Sequence, residues 1–375
     1  MNTEKPDMKK MIFTDGSELI TEACVRAGAE VFIGYPITPA NLLYSYAGKR
    51  YPRMMAAPDE ITTLQWMSGF SASGKFPVTA TSFPGYSLMI ESINMAFMME
   101  LPMLIILVQR LGPATGTATA GAMGDLNVIH GTVSGGYPLP TFAISSMKDC
   151  WNVPPTAIET AMKLRTPVIL MTSKEIAMTL SSFDISGLED ITLKQLKSYS
   201  GDVPYLPYKP DNDGIPPFLP VSQNNHQVRL TASTHDMRGI IQNSTPESIN
   251  NTKRLHNKII NHLDSFTLYE YNKQDSADTL IVAYDISSQA AAEAASILSE
   301  KGMPVSLLIA KTILPVPEIY IDILSGYRRI IIAEENLDGQ FRKLIFGRNG
   351  RKGVSGVNGI SRMISPEAII EEVLK

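Results

Sequence analysis

The stretch Met103-Leu104-Ile105-Ile106-Leu107-Val108-Gln109-Arg110-Leu111-Gly112-Pro113 decides the fold. From Met103 to Val108 it is a continuous apolar run of strand length, with no polar alternation. Such a strand is buried on both faces, as in a parallel sheet covered by helices. Val31-Phe32-Ile33, Val78-Thr79-Ala80 and Val168-Ile169-Leu170-Met171 read the same way, and the intervals between them are long enough for crossover helices. The expected class is α/β. In an open parallel sheet, ligands gather beyond the carboxyl ends of the strands. Two turns there carry the chemistry: Arg110-Leu111-Gly112-Pro113-Ala114-Thr115-Gly116, and Gly34-Tyr35-Pro36-Ile37-Thr38-Pro39 after the Val31 strand. Proline fixes φ, glycine admits close backbone approach, and threonine offers a compact donor and acceptor. A lone arginine in that setting can grip a carboxylate with two prongs.

Working outward, the texture changes from about residue 183 to 275. Pro204, Pro207, Pro210, Pro216, Pro217 and Pro220 crowd together there, which predicts an extended connecting arm that wraps a neighbour. Alternation resumes at Thr279 to Ala283, with a helix through Gln289 to Lys301 and strands at Pro304 to Ile309 and Arg329 to Ala333. The expected division is therefore a first sheet domain over 11–182, the arm over 183–275 and a smaller α/β domain over 276–375.

Composition narrows the function. The chain has 375 residues, 44% of them apolar, which suffices for two or three domains of about 100–200 residues. A net charge of −4 leaves no electrostatic footprint for nucleic acid. Two cysteines, Cys24 and Cys150, cannot supply the four thiolates of an iron–sulfur cluster. The N-terminal run Met1-Asn2-Thr3-Glu4-Lys5 has no apolar signal region, and no apolar run reaches the roughly 20 residues of a membrane helix. A cytoplasmic location without membrane association is expected. His130, His226, His235, His256 and His262 have no metal-ligand spacing, so no metal site is expected on this chain.

These motifs together resemble the alpha subunit of the 2-oxoacid:ferredoxin oxidoreductases, thiamine-diphosphate enzymes that oxidatively decarboxylate 2-oxoacids. The resemblance runs from Asp15-Gly16-Ser17-Glu18 through Tyr35-Pro36-Ile37-Thr38-Pro39, Asp59-Glu60-Ile61, Thr79-Ala80-Thr81-Ser82, Ser87-Leu88-Met89 and Gln109-Arg110 to Glu334-Glu335-Asn336 and Gly339-Gln340. It implies a pyrimidine-type thiamine-diphosphate-binding domain followed by a transketolase C-terminal-like domain. It implies that Glu60 activates the cofactor by bonding its aminopyrimidine nitrogen, with Pro36 and Ile37 beside it. Thr38 and Arg110 would meet the substrate's carboxylate and keto group, with Tyr35 and Thr115 behind them. Two plainer readings stand beside these: Glu60 as an acid of a helix's first turn, and Arg110 paired with a structural acid such as Asp125.

A pyrophosphate-holding module would carry Gly-Asp-Gly and a downstream asparagine, whereas this chain has Gly124-Asp125-Leu126 and Gly201-Asp202-Val203. The resemblance thus implies half a site, completed by a beta-type partner holding the diphosphate, Mg2+ and a [4Fe-4S] cluster. Coenzyme A would be the co-substrate and ferredoxin or flavodoxin the electron acceptor. The family's gamma domain is sometimes fused upstream; the lead before Asp15 is too short for it, so a separate gamma subunit fits. Several polar family positions are apolar here, among them Ala114, Ala118, Met123 and Leu139, while a glycine-serine-threonine loop reads Asp285-Ile286-Ser287. That trend suits a bulkier or less polar substrate, or changed coenzyme A use. A non-oxidative decarboxylase or lyase subunit and a non-catalytic scaffold are the competing readings.

Overall fold

The structure, a computed structural model, describes residues 10–201, 203–221 and 225–375. The terminal run Met1–Lys5 and Asp202 lie outside them. The larger sheet has seven strands in the spatial order Thr312–Leu314, Thr141–Ala143, Pro167–Ser173, Met103–Gln109, Pro77–Thr81, Val31–Gly34 and Arg53–Ala56. All neighbours are parallel except the outermost Thr312–Leu314. Met103–Gln109 lies at the centre, every residue buried, pairing with Pro77–Thr81 on one side and with Pro167–Ser173 along its whole length on the other. From Val31–Gly34 the chain steps outward to Arg53–Ala56, then returns past its starting strand to Pro77–Thr81 and on to Met103–Gln109. The sheet's switch point therefore lies between Val31–Gly34 and Pro77–Thr81, where an open α/β sheet forms its crevice.

The smaller sheet has five strands in the order Val354–Asn358, Arg329–Glu334, Thr279–Ala283, Ser306–Ala310 and Tyr269–Asn272. Only Tyr269–Asn272 runs antiparallel to its neighbour. Helices Ser287–Glu300 and Pro366–Leu374 close one face over a core of Ile281, Ala291, Leu298, Ile364 and Ile369.

The stretch expected to be an extended arm is more structured than its prolines imply. Ser181–Asp184 pairs antiparallel with Met11–Thr14, the helix Pro246–Ile260 follows later, and Tyr269–Asn272 already belongs to the smaller sheet. The two sheets are also interleaved, because Thr312–Leu314, from the C-terminal part, edges the larger one. The helix escaped the sequence reading because its buried face is Ser248, Asn251, Leu255, Lys258 and Ile259. That spacing is helical, but three of the five side chains are polar, so no apolar stripe marks it.

Those polar groups fasten the arm. Lys258 Nζ donates to Glu100 Oε2 at 2.8 Å and to the Arg165 carbonyl at 2.9 Å, and Arg254 also pairs with Glu100. Burial alone would raise the Glu100 carboxyl, but the charges of Arg254 and Lys258 outweigh it and hold the group well below the usual carboxylate range. Burial brings Lys258 down to about 8 against the pull of Glu100. Arg165 donates to the carbonyls of Pro207, Pro216 and Pro217 at 3.1–3.2 Å, which satisfies backbone acceptors in the proline-rich segment. His235, buried against Tyr208, contacts the Ser233 carbonyl and Asn251, so it too orders the arm.

Candidate active site

The switch point gathers the turn 35–39, the Ser82 turn and, from the adjacent strand, Gln109 and Arg110. Arg110 is 5% exposed, and its Nη1 donates to the Thr38 carbonyl at 2.5 Å. The peptide bonds before Pro39 and Pro113 are both cis. Nε of Arg110 is buried without a hydrogen-bond partner. Asp125 is likewise buried, with Oδ2 unpartnered. Among the described residues no ion pair joins the two, although each feels the other's charge. Burial pushes Asp125 up to about 7, with Arg110 acting in the opposite sense.

Glu60 opens the helix Glu60–Ala72, but Asp59 caps it: Asp59 Oδ1 accepts from Thr62 N at 2.7 Å. The capping task is thus filled without Glu60, whose side chain is buried. Its carboxylate lies against Gly85, where a Cβ would come within 2.6 Å of Oε1 and 2.2 Å of Thr81 Oγ1. No hydrogen bond to that carboxylate is found among the described residues. Ser82 Oγ, nearby in sequence, is buried and unpartnered.

The remaining expected residues are placed differently. Tyr35 and Pro36 are exposed and Ile37 is half-buried. Thr115 stands at the tip of an exposed turn closed by the Leu111–Thr117 bridge, in which Gly116 has φ 49° and room for no Cβ beside the Leu111 carbonyl. The structure therefore brings Thr38 and Arg110 into contact and seats Glu60 at the end of the neighbouring strand. It leaves Tyr35, Pro36 and Thr115 at the rim.

Sequence reasoning missed the seam behind Arg110. Gln109 donates through Nε2 to Asp285 Oδ2 at 3.2 Å and accepts through Oε1 from Asp125 N at 3.3 Å. Asp285, with φ 52°, also accepts from Ser173 N at 3.0 Å. A glycine in the family's loop was the available signal, since αL backbone favours glycine and an aspartate holding it needs compensation. The loop carrying Asp125 is tied down by Met123 N to the Glu335 carbonyl at 2.7 Å and by Gln340 Nε2 to the Gly124 carbonyl at 2.8 Å. Among the described residues, no group of three or more His, Cys, Asp or Glu side chains could hold a metal ion, and no helix is long and apolar enough to cross a membrane.

An open parallel sheet whose switch point holds a buried glutamate and a buried arginine is the plan of a thiamine-diphosphate-binding α/β module. The sequence model described as pyruvate flavodoxin/ferredoxin oxidoreductase, thiamine diP-bdg, matches residues 22–254, and the chain belongs to that family. It is 29% identical over 333 residues to the 2-oxoglutarate synthase subunit KorA of Methanocaldococcus jannaschii, covering 88% of this chain and 89% of that one. Similarity also extends to the ketoisovalerate oxidoreductase subunit VorB of Methanothermobacter thermautotrophicus, at 27% identity over 96% of each chain. Among solved structures, the 2-oxoglutarate:ferredoxin oxidoreductase from Magnetococcus marinus, with 2-oxoglutarate, coenzyme A and succinyl-CoA bound, superposes with a TM-score of 0.91 at 27% identity. The match covers 98% of this chain but 65% of that longer one. A split-gene transketolase, at 12% identity and a TM-score of 0.53, shares the fold.

Proposed function

We propose that the chain is the alpha subunit of a cytoplasmic, thiamine-diphosphate-dependent 2-oxoacid:ferredoxin oxidoreductase, converting a 2-oxoacid and coenzyme A to acyl-CoA and CO2. The observation that carries this reading is a buried Arg110 with Nε unpartnered, held to the Thr38 turn, together with a buried Glu60 whose carboxylate lies against Gly85 and Thr81 at the end of the strand next to that of Arg110. Uncompensated buried polar groups are costly, and a ligand that satisfies them accounts for their retention.

The residues fit the pyrimidine end of the cofactor: the Glu60 carboxylate has no hydrogen-bond partner among the described residues, Gly85 lets it pack close beside Thr81, and Ser82 has an unused hydroxyl. Pro36 and Ile37 would flank it. Bound thiamine diphosphate supplies a nucleophilic carbon and an electron sink for decarboxylation. Glu60 holds a proton at the aminopyrimidine nitrogen, and its burial keeps water from competing for that contact. Arg110, fixed by the Thr38 carbonyl, neutralises the substrate's carboxylate and orients the keto carbon. Tyr35 and Thr115, at the rim, would line the entrance.

The sequence carries no Gly-Asp-Gly run to serve the diphosphate, so a beta-type partner holding it with Mg2+ and a [4Fe-4S] cluster would complete the enzyme, with a gamma-type chain contributing to coenzyme A binding. Residues 11–182 would then form the pyrimidine-type module. The test is to co-purify the chain with its beta-type partner and follow reduction of ferredoxin or flavodoxin. Reduction dependent on both coenzyme A and either 2-oxoglutarate or 3-methyl-2-oxobutanoate is the expected result. Release of CO2 without any acceptor being reduced would instead identify a non-oxidative lyase.

A further inference from the structure

We propose that Asp125 takes up one proton from solvent when the substrate's carboxylate docks on Arg110, so that the site binds a 2-oxoacid and a proton together. The inference rests on the reading that Arg110 meets the substrate. Its geometry is that of two opposite charges held close yet unjoined: Asp125 Oδ2 and Arg110 Nε are both buried and unpartnered, and no ion pair connects the side chains. An arriving carboxylate places a second anion beside the same arginine. Two carboxylates sharing one buried site cannot both stay ionised, and the one with less hydrogen bonding takes the proton.

The backbone that carries Asp125 is pinned beside Arg110. Its amide is held by Gln109 Oε1, Gln109 is held by Asp285, and the preceding residues are pinned at Met123 N and at the Gly124 carbonyl. The side chain forms no cap hydrogen bond on the short helix it precedes, so its charge is not committed elsewhere. The titratable groups facing it are Arg110 from the central strand, Tyr86 from the helix Phe83–Met98 and Tyr284 from the end of Thr279–Ala283. Burial raises both tyrosines, which therefore stay neutral, and leaves Arg110 as the opposing charge. Burial already brings Asp125 to about 7 in the free site, within reach of a proton at neutral pH.

The experiment measures kcat/KM of the assembled enzyme from pH 6 to 9, with whichever of 2-oxoglutarate and 3-methyl-2-oxobutanoate is turned over. Wild-type kcat/KM is expected to fall about tenfold per pH unit above roughly 7, because this profile reports groups of the free enzyme. In Asp125→Asn that limb disappears, and at pH 8.5 the variant exceeds wild type about thirtyfold in kcat/KM. A limb that persists in the variant overturns the proposal. Should Asp125→Asn fail to fold or assemble, calorimetry on the wild-type complex freed of thiamine decides. Binding of 2-oxoglutarate or 3-methyl-2-oxobutanoate at pH 8 in Pipes and in Tris should show uptake of nearly one proton, and zero uptake overturns the idea. If Arg110→Lys leaves kcat/KM unchanged, it is the substrate reading of Arg110 that falls, a separable failure.

Discussion

The first sheet turns back on itself between Val31–Gly34 and Pro77–Thr81, the second between Thr279–Ala283 and Arg329–Glu334, and both switch points bury charge. At the first, the charges are under-bonded: Arg110 Nε and Asp125 Oδ2 lack partners, and the Glu60 carboxylate has no hydrogen bond among the described residues. At the second, the carboxylates are committed, and the unpartnered buried atoms include Ser288 Oγ and Arg342 Nε. Glu334 accepts from Phe341 N at 2.8 Å, Arg342 N at 3.0 Å and Asn336 Nδ2 at 2.6 Å, Glu335 from Ile364 N at 3.0 Å, and Asp285 from Ser173, Ile286 and Gln109. A shared topology thus offers two crevices, and the bonding of their buried carboxylates separates one open to a ligand from one spent on joining the halves.

The sharpest way to break that contrast is Glu60→Gln. In the assembled enzyme kcat should fall by about a hundredfold or more, the range of a lost acid–base contact, while the melting temperature barely moves. A loss below about tenfold would return Glu60 to the role of a helix-start acid. Arg110→Lys should lower kcat/KM by roughly tenfold to a hundredfold, because lysine keeps the charge but loses the planar fork. Lower thermal stability with unchanged kinetics would instead mark Arg110 as structural.

At the second crevice the signs reverse. Glu334→Ala strands the Phe341 and Arg342 amides and should cost about 1–3 kcal/mol in denaturant unfolding, with kcat/KM per folded enzyme unchanged. The smallest effect is on pH. Burial raises Asp285 from 3.8 and Glu335 from 4.5 to about 7 each. A carboxyl raised on folding contributes stability below its unfolded value and loses it as pH climbs through the folded one. The melting temperature should therefore decline from pH 5 to 7.5 and level off above, with a shallower decline in Asp285→Asn. Glu100, shifted downward, contributes its change only as pH falls below its ordinary 4.5, outside this window.

The parallel strands were legible because burial on both faces leaves an unbroken apolar run, as in Met103–Gln109 and Thr279–Ala283. Pro246–Ile260 was not, since Lys258 and Asn251 occupy its buried face and partners distant in sequence, Glu100, the Arg165 carbonyl and His235, make that tolerable. Thr141–Ala143 and Thr312–Leu314, three residues each, are too short to show a period. At the site, motifs pointed to Arg110 and Thr38, yet their contact runs through a backbone carbonyl that no side-chain pattern encodes. The burial of Asp125 depends on Gln109, Met123 and the remote segment 334–340, which meet it only in the folded chain.

Thr312–Leu314 bears on how the protein is made. Ala143 N donates to the Lys311 carbonyl at 2.7 Å, and Lys311 Nζ pairs with Asp149 Oδ1 at 2.5 Å, so the edge of the larger sheet is finished by residues synthesised long after the rest of it. On a ribosome adding roughly 5–20 residues per second, the Thr141–Ala143 edge stays open for on the order of ten seconds or more. An open strand edge is a template for wrong pairing, so the nascent chain is exposed to mispairing through that interval.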